Sequence, residues 1–352
     1  MKYFAYYKSL NYIIILLIII ACNKKDIAPV PIIIPVTTSS EYISHASNEL
    51  KFKVGFIILD SRTNFDLTQI ELARYLYIGS YTNQSGAYNT FVLDSLNKMN
   101  TSYLGSYSVA IMLDESEIDE SQFNGLGNKY MLNQETACRK FFKLSPVGSN
   151  FILSAYGMGN EFIPNEPITI YGEDFTNNAD KYDQTLANLR KYCNYKGNAP
   201  FLSALDSMLE FINNKAINSN KQIIAFTHNE DVVSNKDWDS LITKAINYNV
   251  VVNIVMTYQS NGDFYNYTQI AQKTGGFIFY VSNNQDGTNM PLFANRLNDI
   301  LLGNYSFFES SWTQTASKPV FVSNYSSGAY IELFVDNLDK LYTYMPFYIS
   351  IP

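Results

Sequence analysis

Between Tyr107 and Asn304 the chain alternates short apolar runs with amphipathic stretches, and that alternation admits few folds. The runs YSVAIML (107–113), SNFILSAYG (149–157), KQIIAFT (221–227), VVVNIVMTY (250–258) and FIFYVSN (277–283) are nearly continuous in apolar character. Strands covered on both faces read this way, whereas half-exposed strands alternate. The stretches 128–145, 177–193, 200–216, 235–249, 264–276 and 291–304 read as helices. Pro200 suits a first helical turn, and Gly275 and Gly276 suit a helix stop. EPITIYG (166–172) reads as a short strand at an edge. Strands separated by helices of this length pair in parallel through right-handed crossovers. The expected class is therefore α/β, a doubly wound, mostly parallel sheet over 107–303.

Both flanks have a different texture. LKFKVGFIILD (50–60), RYLYIGSYT (74–82) and AYNTFVLDSL (87–96) precede the alternating region. YSFFESSW, KPVFVSN, AYIELFVD and YMPFYISIP follow it. Either group alone is small and leaves sheet edges open, which invites aggregation. The expectation is one small β-sandwich built from 49–106 with 304–352, the α/β domain being inserted between the two halves.

The first residues speak to compartment. Lys2 and Lys8 precede an apolar run from Ile13 to Ala21, short for a bilayer span, which needs about 20 apolar residues. The pattern fits a signal peptide over 1–21. The run ends Ile19-Ile20-Ala21-Cys22, which resembles a bacterial lipobox, and that resemblance implies lipid attachment (palmitate) at Cys22 and anchoring to an envelope membrane, with the outer membrane as the expected location. NKKDIAPVPIIIPVTTSS then reads as an extended tether over 22–48. A net charge of −7 speaks against a nucleic-acid partner.

Four landmarks, in order, carry a further resemblance. VAIMLDESEI, GNAPFLSAL, KQIIAFTHNED and IAQKTGGFIFYVSN are similar to successive signature segments of von Willebrand factor type A (vWA) domains. The resemblance implies a Rossmann-like fold with its ligand face at the carboxyl ends of the strands. It also implies a metal-ion-dependent adhesion site, with five oxygen-bearing positions for Mg²⁺. Here Asp114 and Ser116 match, but Ile118, Ala199 and His228 occupy the other three. Neither Ile118 nor Ala199 offers a ligand atom, and His228 offers nitrogen. The reading is a degenerate ligand face with no metal and no cofactor. Glu115, Glu117, Asp119 and Glu120 crowd the same loop, and a solvated acidic loop accounts for them. His228 is expected to stand in for the ion by hydrogen bonding to Asp114, directly or through Ser116; the alternative is a His228 that faces solvent.

Enzyme chemistry has little to build on. The only histidines are His45, in the tether, and His228. A hydrolase would need His228 with Ser116 and Asp114, without the G-x-S-x-G turn that exposes such a serine. YGMGNEF (156–162) holds two glycines after a strand, a weak phosphate signal. Cys138 and Cys193 fall on helices, and their spacing does not decide whether they pair. The expected function is binding, not catalysis: a vWA-type adhesion domain meeting an unidentified protein or surface polymer, with the membrane reached through the lipid. The alternatives are a structural subunit of an envelope complex, or a solute-binding or hydrolytic protein using His228.

Overall fold

The computed structural model describes residues 33–60, 76–78, 89–116, 118, 125, 127–157, 167–192, 199–257, 264–281, 290–323, 325–334 and 342–352. Among these, the N-terminal flank forms β1 (Ile33–Ala46), β2 (Glu49–Asp60), β3 (Leu76–Ile78) and β4 (Asn89–Asn100). The alternating region begins with β5 (Tyr107–Asp114), α1 (Gly127–Leu144), β6 (Asn150–Tyr156), β7 (Ile168–Ile170), a 3₁₀ turn (Ala179–Tyr182) and α2 (Asp183–Tyr192). It continues through α3 (Phe201–Lys215), β8 (Asn220–Thr227), α4 (Trp238–Asn247), β9 (Val250–Thr257), α5 (Phe264–Thr274), β10 (Ile278–Val281) and α6 (Met290–Leu301). The C-terminal flank adds β11 (Ser306–Ala316), β12 (Ser326–Phe334) and β13 (Tyr342–Ser350).

Within the alternating region the strands lie in the order β7-β6-β5-β8-β9-β10. All neighbours are parallel except β6 and β7. Counted within the region, that order is 3-2-1-4-5-6, the doubly wound arrangement, and it reverses direction between β5 and β8. β5 shows why its sequence is continuously apolar. Val109, Ile111 and Leu113 enter one core with α1, α2 and α6, whereas Ala110 and Met112 enter a second core with α3, α4 and α5. Alternate side chains point to opposite faces, and each face is roofed by helices. The T-G-G stop has a steric cause. Gly275 sits at φ +79°, and a Cβ on Gly276 would lie 2.1 Å from the Val252 carbonyl oxygen.

The flanks pair with each other: β11 lies between β2 and β4, and β12 pairs with β3 and β13. Leu50, Phe52, Val54, Phe56, Phe308, Trp312, Phe347 and Ile349 form the core between the two layers. Two expectations need correction. First, the tether does not run from 22 to 48, because Ile33–Ala46 is strand β1. Second, the larger sheet of the sandwich is not separate from the α/β sheet. β1 pairs with β2 on one side and with β10 on the other, giving one sheet of ten strands. The prolines around IIIP disguised this strand. Pro35 has no N–H to give, and the β1–β10 ladder is confined to Val36 and Thr37. KPVFVSN is also not a strand: Val320 and Phe321 both donate their N–H to the carbonyl of Ser47, closing the core from outside the ladders.

Candidate functional site

The strand order reverses between β5 and β8, hydrogen-bonded parallel neighbours, and doubly wound folds place their ligand crevice at the carboxyl ends of such a pair. Asp114 is the last residue of β5, and His228 directly follows β8. Asp114, Glu115, Ser116 and His228 are all buried. A buried carboxylate needs compensating donors, and Asp114 has them. Its Oδ1 accepts from the Ser116 amide at 3.1 Å and from Ser116 Oγ at 2.5 Å. Its Oδ2 accepts from the His228 amide at 2.9 Å. The His228 ring faces the same carboxylate, with Nδ1 3.3 Å from Oδ2, long for a hydrogen bond. On the ring's other side Nε2 lies 3.5 Å from Ser116 Oγ.

Two residues absent from the sequence reading complete the crevice. Asn229 donates from Nδ2 to Ser116 Oγ at 2.9 Å. Tyr130, on α1, stands edge-on to the His228 ring at 6.1 Å between centroids. Burial, and then the nearby Asp114 and Glu115 carboxylates, push the Tyr130 phenol well above its ordinary range, so it stays neutral. Nothing in the helical pattern of α1 separates Tyr130 from an ordinary core aromatic. Asn229 had a signal: a short amide immediately after the strand-end histidine.

The backbone around the crevice is specified by close approach. Gly157, just past β6, has φ +77°, and a Cβ there would lie 2.7 Å from Ser116 Cβ and 2.9 Å from Ser116 Cα. That approach explains the first glycine of YGMGNEF without a phosphate. Asp231 is not part of the crevice chemistry. It caps α3, accepting from the Leu202 amide at 2.7 Å, and closes its own loop through the amides of Val233 and Ser234. Pro200, at the N-cap position of α3, supplies no side-chain cap, so a carboxylate from the next loop does so. Beneath that loop Phe201, Trp238 and Tyr267 interlock at 4.8–5.7 Å between centroids. Tyr267 accepts from Thr227 Oγ1 and donates to the Asn229 carbonyl, both at 3.2 Å.

Of the five positions drawn from the resemblance, Asp114, Ser116 and His228 meet. Ile118 is half-buried against the core of α1 and α6, and Ala199 is buried in the core of α3. The set does not fit Mg²⁺. Both Asp114 oxygens are engaged by protein donors, an imidazole stands beside them, and two positions bear hydrocarbon. Among the described residues no three His, Cys, Asp or Glu side chains converge as metal ligands. Glu117, Asp119, Glu120, Cys193 and the lipidation candidate Cys22 lie outside the described residues; Cys138 is buried in the core.

No protein-family model matches the chain, and no curated protein matches it. Solved structures do. The SpRpn10 VWA domain aligns at TM-score 0.39 and 14% identity, over 53% of this chain and 94% of that one. A von Willebrand factor type A protein from Catenulispora acidiphila aligns at 0.46 and 9%, over 91% and 72%. The pilus adhesin SpaC from Lactobacillus rhamnosus GG aligns at 0.40 and 9%, over 78% of this chain and 47% of that one. Identities and scores this low are general likenesses, and the fold assignment rests on the strand order itself.

Proposed function

We propose that the chain is a lipid-anchored envelope protein that works by binding, with a protein partner met at the amino-end loops of its α/β sheet. The observation behind this is a set of exposed apolar side chains at that end. Tyr103 is 70% exposed, Ile217 is 69% exposed and Val147 is fully exposed; Leu104 and Leu144 are exposed beside them. Three loops carry them, held together by Asn218, which donates to the Tyr107 and Gly148 carbonyls, and Asn220, which donates to the Gly105 carbonyl. Exposed apolar side chains gathered at one end mark contact surfaces. Their end is opposite the crevice, so this reading moves the partner away from the face that the vWA resemblance suggests.

The crevice is read as a lock between β5 and β8, not as a catalyst. A serine nucleophile gives its proton to histidine and must be reachable. Ser116 is buried and directs its hydroxyl to Asp114. A solute-binding role has a candidate in a cavity of about 260 Å³ at the junction of β1 with the amino ends of β8–β10. Its amides are engaged, however: Asn253 bonds Gln222, the Ile223 carbonyl and the Phe277 amide.

The test is crosslinking in intact envelopes followed by affinity capture, with wild type beside Val147→Asp/Ile217→Asp. A stoichiometric partner lost in the double variant, at unchanged thermal midpoint, supports this surface; capture that survives the substitutions overturns it. A fluorophosphonate probe that labels Ser116 would replace the lock with a hydrolase.

A further inference from the structure

β1 and β10 stay paired for two residues only. Val36 lies opposite Phe279 and Thr37 opposite Ile278, and the register of β1 against β2 then shifts between Thr37 and Ser39. Past Thr37 the ladder to β10 ends. The space beside it, at the amino ends of β8–β10, is walled by the two crossings that join the halves of the protein. These crossings are clasped to each other. Thr101 Oγ1 donates between the Gly303 and Tyr305 carbonyls, at 2.7 and 2.8 Å, and the Leu104 amide donates to the Leu302 carbonyl at 2.7 Å. What they enclose is a cavity of about 260 Å³. Folded interiors hold few voids larger than a water molecule. A hydrocarbon-lined cavity of about 150 Å³ already takes up benzene.

The wall has a definite chemistry. Leu104, Val251, Phe277 and Ile300 make it largely apolar. None of the described residues lining it carries a charge, so an ion inside would have no counter-charge, at a large cost. Asn253 and Gln222 also line it, but their N–H groups are spent. Asn253 Nδ2 donates to Gln222 Oε1 and the Ile223 carbonyl, and Gln222 Nε2 donates to Asn220 Oδ1 and the Leu301 carbonyl. Their side-chain oxygens each keep a lone pair. Thr38 Oγ1 is buried with no hydrogen-bond partner among the described residues. Burial raises the Tyr305 phenol above its ordinary value, so it stays a neutral donor. Ser102 and Leu104 line the cavity and are exposed, which gives it a way in.

We propose that this cavity is a binding site for an uncharged, largely apolar molecule of about two fused rings that carries a hydroxyl group. The apolar wall takes the rings, and the remaining oxygen lone pairs and hydroxyls take the hydroxyl. The spent amides turn away a sugar-like solute, which needs several donors, but not a ligand of this kind. A phenylalanine ring is benzene-sized, so one such side chain from a partner would leave much of the space empty. The site is separate from the contact surface proposed above and depends neither on that surface nor on the lipid anchor.

The test follows the methyl signals of Leu104, Val251 and Ile300 in the full-length protein, in an uncharged deuterated detergent. The probes are 2-naphthol and 2-naphthoate, which has the same rings and a carboxylate. Saturable shifts at these methyls with 2-naphthol are expected, with Overhauser contacts from its ring protons. Binding of 2-naphthoate is expected to be at least about tenfold weaker. Val251→Phe fills the wall and Ser102→Trp crowds an exposed position on it; each is expected to weaken 2-naphthol about tenfold. Ser102→Trp serves alone if Val251→Phe does not fold. No saturable shift at the three methyls, equal affinity for the carboxylate, or unchanged affinity in folded Ser102→Trp overturns the site. A crosslinked protein partner lost in folded Val251→Phe, with no 2-naphthol binding to wild type, would make the cavity a pocket for that partner's side chain instead.

Discussion

Asp114 and His228 close the crevice between β5 and β8 from opposite strands, backbone amide to carboxylate at 2.9 Å and ring to carboxylate at 3.3 Å. Ser116 gives its only proton to Asp114 and accepts from Asn229.

The same relationship predicts a stability effect. Asp114→Ala removes the acceptor for two amides and one hydroxyl and is expected to cost about 2–4 kcal/mol in urea unfolding. His228→Ala costs less, because the amide at 228 still reaches Asp114. The double variant is expected to fall short of the sum by at least about 1 kcal/mol, since contacting residues couple. Strict additivity would mean the ring contributes nothing to the pair.

Gly157→Ala tests the approach of the two loops. At φ +77°, with Ser116 Cβ 2.7 Å from the new methyl, the backbone must shift or strain. A loss of about 2–3 kcal/mol is expected, with the disturbance visible at Ser116 amide exchange. Gly105→Ala is a control for φ alone, because its φ is +85° and nothing lies within 4 Å of its Cβ position. It is expected to cost about 1 kcal/mol. Equal losses would show that crowding at Ser116 is unimportant.

Asp231→Ala removes the cap of α3 and is expected to cost about 1–2 kcal/mol, with faster exchange at the Leu202 amide. Asp231→Asn keeps only one acceptor oxygen and should recover only part of the loss, because its amide nitrogen must face either the Leu202 amide or those of Val233 and Ser234. An exchange rate at Leu202 unchanged in Asp231→Ala would remove Asp231 from the capping role.

Acid sensitivity has an identifiable contributor on the surface. Burial alone would raise the Asp206 carboxyl, but hydrogen bonds from Lys236 and Lys244 outweigh it and hold Asp206 below its ordinary value. A carboxyl lowered in the folded state stabilises above its unfolded pKa of about 3.9 and loses that contribution as pH falls through the folded value. Asp206→Asn is expected to flatten the stability curve below about pH 4 by only ~0.5 kcal/mol, because the site is partly screened by solvent. A curve that keeps its full acid slope would assign the effect elsewhere.

The α/β half was legible because strands roofed on both sides carry their signal in composition: Val109 through Leu113 can hardly be anything but buried strand. The crevice was half legible. Asp114, Ser116 and His228 were marked by their places at strand ends, but Asn229 and Tyr130 make ordinary local sequence and act only through tertiary approach. β1 was missed for a physical reason. Its apolar residues stand beside prolines and its polar run TTSSEY resembles a linker, yet a strand between two partners needs backbone donors more than it needs apolar side chains. The fusion of the two sheets followed from that strand and could not be read without it.

β1 has a mechanical meaning beyond its place in the fold. It is in register with β2 from Ile33 opposite Asp60 to Ala46 opposite Glu49, and it touches β10 near its start. A force applied between Ile33 and the hairpin tip at Ser47 would run along this strand. Its ladder would then be loaded in shear, with the hydrogen bonds resisting together instead of opening one by one from an end. The two halves of the protein share that strand, so at this junction they part only by breaking its short ladder with β10 or its long ladder with β2.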